Sequence, residues 1–90
     1  MSTEETEHKK AIKKYLTLKG AFFYYNLAGL GVFPGIPDIT CIHKGVVYQI
    51  EVKAGNGKQN PNQIEFQENW EKCGGVYILG GIDEVMKIIK

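Results

Sequence analysis

The sequence predicts an α/β domain in which a mixed sheet of about four strands is flanked by helices, in the order α-β-β-β-α-β-α. Three observations carry this reading. Helical periodicity stands at both ends of the chain, two β-rich runs flank the turn-prone pair Lys44-Gly45, and glycine clusters punctuate the remaining segments. Residues 4–19 place Ala11, Ile12, Tyr15, Leu16 and Leu18 at spacings of three and four, with Ser2 or Thr3 as N-cap, acids in the first turn and Gly20 beyond the end. The aromatic run from Ala21 to Asn26 is too short for a helix and reads as a strand running into the irregular stretch LAGLGVFPGIP. DITCIH and VVYQIEVK then form a hairpin, and AGNGKQN breaks the second strand. Asn60 caps a helix opened by Pro61 and stopped at Cys73-Gly74-Gly75. VYILG is a short strand, and DEVMKIIK is a last helix with acid near its start and lysine at its end.

With 90 residues, 43% hydrophobic and 23% charged, residues 1–90 read as one small globular domain, which excludes a multidomain mechanism and argues against disorder. All 11 basic residues are lysines, set against 10 carboxylates for a net charge of +1, so overall charge points to no particular partner. Cys41 and Cys73 have no metal-type spacing and are expected as buried or half-buried reduced thiols. No run spans a bilayer, and the N-terminus is acidic then basic, unlike a secretory signal. The expectation is a cytoplasmic protein with no membrane partner. So small a core also favours a homodimer that buries further surface.

The hairpin carries the chemistry. A two-residue Lys44-Gly45 turn sets His43 opposite Val46 and, counting outward, Asp38 opposite Glu51. Opposed residues bring their Cβ atoms to about 5 Å, and Lys53 shares a face with Glu51. Ile39, Cys41, Tyr48, Ile50 and Val52 fall on the other face, fit for the core. Two close carboxylates repel unless a cation lies between them, and oxygen donors of this kind suit a hard ion such as Mg²⁺, which keeps waters and meets phosphate oxygens. Lys53 adds a positive charge that orients a water or stabilises a transferring phosphoryl group. Metal-assisted phosphodiester hydrolysis is the reaction class. A plainer reading is a solvated polar face with Lys53 neutralising Glu51. The Gly-Ile-Pro before Asp38, the glycine-rich segment after Lys53 and the nearby Gln63 favour the functional one.

GIPD at 35–38, EVK at 51–53 and GNGKQNPNQ ending at Gln63, behind a first helix reading EETEHKKAIKKYLTLKG, resemble the VRR-NUC (virus-type replication-repair nuclease) family of the PD-(D/E)XK superfamily. The resemblance runs from residue 4 to about residue 85. It implies a restriction-endonuclease-like fold and a homodimeric, Mg²⁺- or Mn²⁺-dependent DNA endonuclease of the stand-alone phage and bacterial type, similar to Holliday-junction resolvases and selective for branched DNA. A non-catalytic nucleic-acid-binding module on the same fold is the alternative. The resemblance makes Asp38 and Glu51 metal ligands, with the Val52 carbonyl beside them, Lys53 the catalytic lysine, and Gln63 the glutamine near the site. It also implies a glutamate from the first helix. The match to the start of that helix falls on Glu5, which lies on the same face as Ile12 and Leu16, with Glu4 and Glu7 as rivals and plain support of the helix dipole as the alternative.

Relatives often carry an arginine after the aromatic run, where this chain has Tyr24-Tyr25-Asn26. Without arginine, DNA backbone contacts fall to Lys9, Lys13, Lys14, Lys58 and the Gly57 backbone, which predicts modest, strongly salt-dependent affinity. Phe22, Phe23, Tyr24 and Tyr25 are expected to alternate in burial ahead of stacking on bases. His8 and His43 are expected in packing or surface roles, and Trp70 in the core or a dimer interface.

Overall fold

In the computed structural model, residues 3–90 are described; Ser2, one of the two expected caps, lies outside them. Helix α1 spans Glu4–Lys19 because Thr3 caps it, accepting the Thr6 N–H at 3.1 Å, and because Gly20 ends it in the left-handed conformation. Its inward residues Ile12 and Leu16 are buried. Strands β1 (Phe22–Tyr25), β2 (Ile39–His43), β3 (Val46–Val52) and β4 (Val76–Gly80) lie in that spatial order. Strand β2 runs antiparallel to both β1 and β3, and β4 pairs parallel to β3. The β3–β4 connection therefore needs a crossover, supplied by α2 (Pro61–Lys72). Helix α3 (Ile82–Ile88) closes the chain.

The sheet has two different faces. Ile39, Cys41, Tyr48, Ile50, Val52 and Ile78 pack with Ile12, Leu16, Val85 and Ile89 into the core beneath α1 and α3. Tyr15 ties α1 to the chain end by donating its hydroxyl to the Ile89 carbonyl at 2.6 Å. The opposite face is only partly covered. There α2 lays Phe66 and Trp70 in a stack with centroids 5.9 Å apart, and Phe33 and Tyr77 flank Phe66. Trp70 is half-buried, its indole N–H donating to the Val76 carbonyl at 2.9 Å. No residue of α2 is fully buried, so the helix cannot shield β1 and β2. That is why the aromatic run alternates only in part: Phe23 packs on the core, whereas Phe22, Tyr24 and Tyr25 are all exposed. Cys41 is buried as expected, but Cys73 is exposed, because it caps α2 beyond the edge of the packed face. Among the described residues no helix is long and apolar enough to cross a membrane.

Both turn residues of the hairpin take positive φ, 50° at Lys44 and 80° at Gly45, the conformation of a two-residue turn whose twist matches its strands. The resulting register pairs Ile39 with Ile50 and His43 with Val46. The irregular stretch before β2 is anchored at Gly35, whose φ is +82° and whose α-carbon lies against the first turn of α2. A methyl group there would collide with the Asn62 carbonyl. Gly35→Ala is therefore expected to lose roughly 3 kcal/mol of stability in urea unfolding, from the clash and the strained backbone together.

Candidate active site

Asp38 stands one residue before the first paired position of β2, held there by Pro37, which is itself buried. Its Oδ2 accepts the Val52 N–H at 2.7 Å, a charge-assisted bond that fixes the carboxylate beside the end of β3. Glu51 precedes Val52 on the α2 side of the sheet and is only 4% exposed, so the solvated-face reading fails for it. Burial, then the negative charge of Asp38 and a hydrogen bond with it, push the Glu51 carboxyl up to about 8; Lys53 opposes the shift and Glu5 adds to it. The Lys53 ammonium lies 3.7 Å from Glu51 Oε2. Its stem runs along Gly57, where a methyl group would sit 3.2 Å from the Ala54 carbonyl and 3.4 Å from Lys53 Cδ. Gly57 thus leaves room for the lysine to lie back towards the carboxylates.

Helix α1 reaches the same place from the other side of the sheet. Glu5, Lys9, Ile12 and Leu16 follow one stripe of the helix, so the packing that buries Ile12 and Leu16 carries Glu5 and Lys9 to the end of β3. Lys9 Nζ lies 3.7 Å from Glu5 Oε1 and 3.5 Å from Asp38 Oδ1. Glu4 instead pairs with His8 at 4.0 Å and Glu7 with Lys10 at 3.6 Å, both with largely exposed side chains. Of the three acids, Glu5 is the one whose charge acts on Glu51.

Asp38, Glu51, Lys53 and Glu5 therefore meet at one end of the sheet, joined by Lys9. Val52 contributes its backbone there while its side chain lies in the core. Among the described residues no three Asp, Glu, His or Cys side chains already stand at metal-ligating spacing; two ammonium groups sit among the acids. The donor chemistry nevertheless fits a hard cation, because a buried carboxyl that keeps its proton to about pH 8 beside a second carboxylate lacks positive charge. Gln63 is placed differently. At the third position of α2 its Oε1 accepts the Asn60 N–H at 2.9 Å while its own N–H is bound by Asn60 Oδ1 at 2.9 Å, so the side chain is engaged in capping. Lys13, Lys14 and Lys58 are exposed.

Two polar networks escaped the sequence reading. Asn26 Nδ2 donates to the Pro37 carbonyl at 3.1 Å and to Thr40 Oγ1 at 2.9 Å, and Thr40 also reaches Gln49 Oε1 at 3.2 Å. Asn26, which follows the aromatic run, is thus turned inward and braces the segment that presents Asp38. The pairing of Thr40 with Gln49 was implicit in the hairpin register and was the available signal. Gln59 donates to Gln67 at 2.9 Å and to the Tyr77 hydroxyl at 3.2 Å. Burial pushes that hydroxyl up to about 12, with Glu51 and Asp38 adding to the shift. His8 accepts the Ile82 N–H at 3.1 Å, which pins α1 to α3. A polar cleft of about 350 Å³ opens between His8, Lys53, Gly57 and Gly80. A larger cavity of about 490 Å³ lies by the hairpin turn and Trp70, away from the carboxylates.

No family model and no curated protein matches the chain. A solved structure described as a VRR_NUC domain superimposes with a TM-score of 0.83 at 25% sequence identity, covering 99% of this chain and 100% of that one. The chain therefore has the fold of a VRR-NUC domain, as its motifs imply, and is a domain of the nuclease kind.

Proposed function

We propose that the chain is a divalent-metal-dependent endodeoxyribonuclease that cuts branched DNA as a homodimer. The observation that carries this is the buried, proton-holding Glu51 set beside Asp38 and Lys53. Asp38, Glu51, the Val52 carbonyl and Glu5 would hold Mg²⁺ or Mn²⁺. When bound, such an ion polarises the phosphate and makes a water more acidic. Asp38 is pre-set by its bond from Val52, and Glu51, buried beside it, would lose its proton on holding the cation. Lys53, steered by Glu51 and by the narrow strip at Gly57, offers its ammonium to the negative charge that grows on the phosphoryl oxygens. Gln63, at the start of α2, orders the chain segment that follows Lys53. Lys13, Lys14, Lys58 and the Gly57 backbone are the proposed phosphate contacts. Two sites at the fixed spacing of a two-fold dimer would select junction geometry, in the cytoplasm of a bacterial or phage-infected cell.

One observation favours the alternative, a module that binds nucleic acid without cutting it: an ammonium already sits on Asp38. Cleavage of four-way junctions and supercoiled plasmid with Mg²⁺ or Mn²⁺ separates the two. Wild type is expected to cut, and Lys53→Ala to cut about 10²- to 10³-fold more slowly while binding the junction nearly as well. Intact DNA with every substrate and metal would support the binding module instead.

A further inference from the structure

Asp38 has two carboxylate oxygens with different neighbours. Oδ2 is taken by the Val52 N–H, and Oδ1 faces the Lys9 ammonium at 3.5 Å. Lys9 is also held by Glu5 at 3.7 Å, the acid that α1 contributes to the same cluster. Its side chain is 35% exposed, so the ammonium has a path to solvent at the open end of the sheet. Lys53 lies against Glu51, so each of the two hairpin acids faces its own lysine, one from α1 and one from just past the end of β3. The two lysines are not equivalent. Lys53 is the motif residue, whereas Lys9 occupies the Asp38 oxygen that the backbone leaves open to a cation.

We propose that Lys9 is a displaceable counter-ion and positioning residue of this site: it holds Asp38 and Glu5 while the site is without metal, and it transfers to a DNA phosphate when a divalent cation takes its place. The proposal rests on the nuclease reading and adds a role to it. Lys9 already faces Asp38 and Glu5 and Lys53 already faces Glu51, so a dication arriving among these three carboxylates makes one ammonium redundant. Lys53 is the less exposed of the two, at 21% against 35%, so Lys9 is the one free to leave. A flexible stem and a compact charge suit that exchange. Metal uptake and DNA backbone binding are then coupled through a single side chain, and metal-free protein spends no Lys9 contact on DNA.

The test uses the full chain with Mn²⁺ alone, followed by the electron paramagnetic resonance signal of free Mn²⁺, and then DNA binding with and without non-hydrolysing Ca²⁺. Lys9→Met is expected to bind Mn²⁺ about fivefold tighter than wild type, the worth of a half-exposed ion pair, and Lys9→Arg to show no such gain. With Ca²⁺ the Lys9→Met variant should bind a four-way junction several-fold more weakly, with a salt slope smaller by about 1; without Ca²⁺ it should match wild type. Circular dichroism melts check that both variants fold. Unchanged or weaker Mn²⁺ binding by Lys9→Met overturns the proposal, as does a DNA-binding loss that is the same with and without Ca²⁺. Failure of wild type itself to bind Mn²⁺, with Asp38→Asn indistinguishable from it, brings down the nuclease reading and this proposal together.

Discussion

Asp38→Asn is expected to slow DNA cleavage at least about 10³-fold, equivalent to about 4 kcal/mol of transition-state stabilisation, while the protein still melts cooperatively. The amide oxygen of asparagine accepts the Val52 N–H as Oδ2 does now, so the end of β3 stays pinned. The side chain keeps its volume, and Lys9 loses one of its two acidic partners but keeps Glu5. The negative charge is lost, and with it the donor that a hard cation requires. A second readout follows from electrostatics. Asp38 is one of the groups holding the Glu51 carboxyl at about 8, so its neutralisation lets Glu51 ionise at lower pH. Single-turnover cleavage of a labelled junction measures the first effect, and a pH titration of the melting temperature the second. A variant that cuts at the wild-type rate would remove Asp38 from the active site.

The hairpin was the most legible part of the molecule because a two-residue turn leaves no freedom of register. Lys44-Gly45 alone sets which residues oppose, and alternation then separates Ile39, Cys41, Tyr48, Ile50 and Val52 from Glu51. The stripe joining Glu5 to Ile12 and Leu16 was readable for the same reason, since a helix has one period. What sequence did not give was contact between elements. That Lys9 meets Asp38 depends on how α1 crosses the sheet, which no local pattern encodes, and a phosphate contact was the natural expectation for an early-helix lysine. Gln63 shows the opposite case: Asn60 and Gln63 have capping-box spacing in the sequence itself, and that local demand engages the side chain that the motif assigns to the site. Cys73 and the exposed aromatics of β1 departed from expectation because α2 covers too little of its face, a shortfall of breadth that periodicity does not report.

Glu51→Gln is expected to stabilise the metal-free protein at alkaline pH and to leave it unchanged in acid. In the folded state burial and the neighbouring Asp38 hold the Glu51 carboxyl at about 8, against an ordinary value of 4.5. Below that lower value both states hold the proton and the residue adds no pH dependence. As pH rises between the two, the unfolded chain ionises freely while the folded chain stays protonated. The native state thus binds more protons, and stability falls by up to about 1.4 kcal/mol per pH unit until it levels off above pH 8. Glutamine removes this dependence and retains shape and a hydrogen-bond donor towards Asp38, the role the protonated acid plays. At pH 8.5 a gain of about 2 to 4 kcal/mol is expected, which in a domain of this size raises the melting temperature by about 10 °C or more. Mn²⁺ should raise the melting temperature of wild type most at high pH, where the Glu51 proton is cheapest to lose, and should do little for the variant. The opposite sign, with wild type the more stable protein at pH 8.5 without metal, would mean that Glu51 is already ionised and satisfied by Lys53, and that the site has no unmet demand for positive charge.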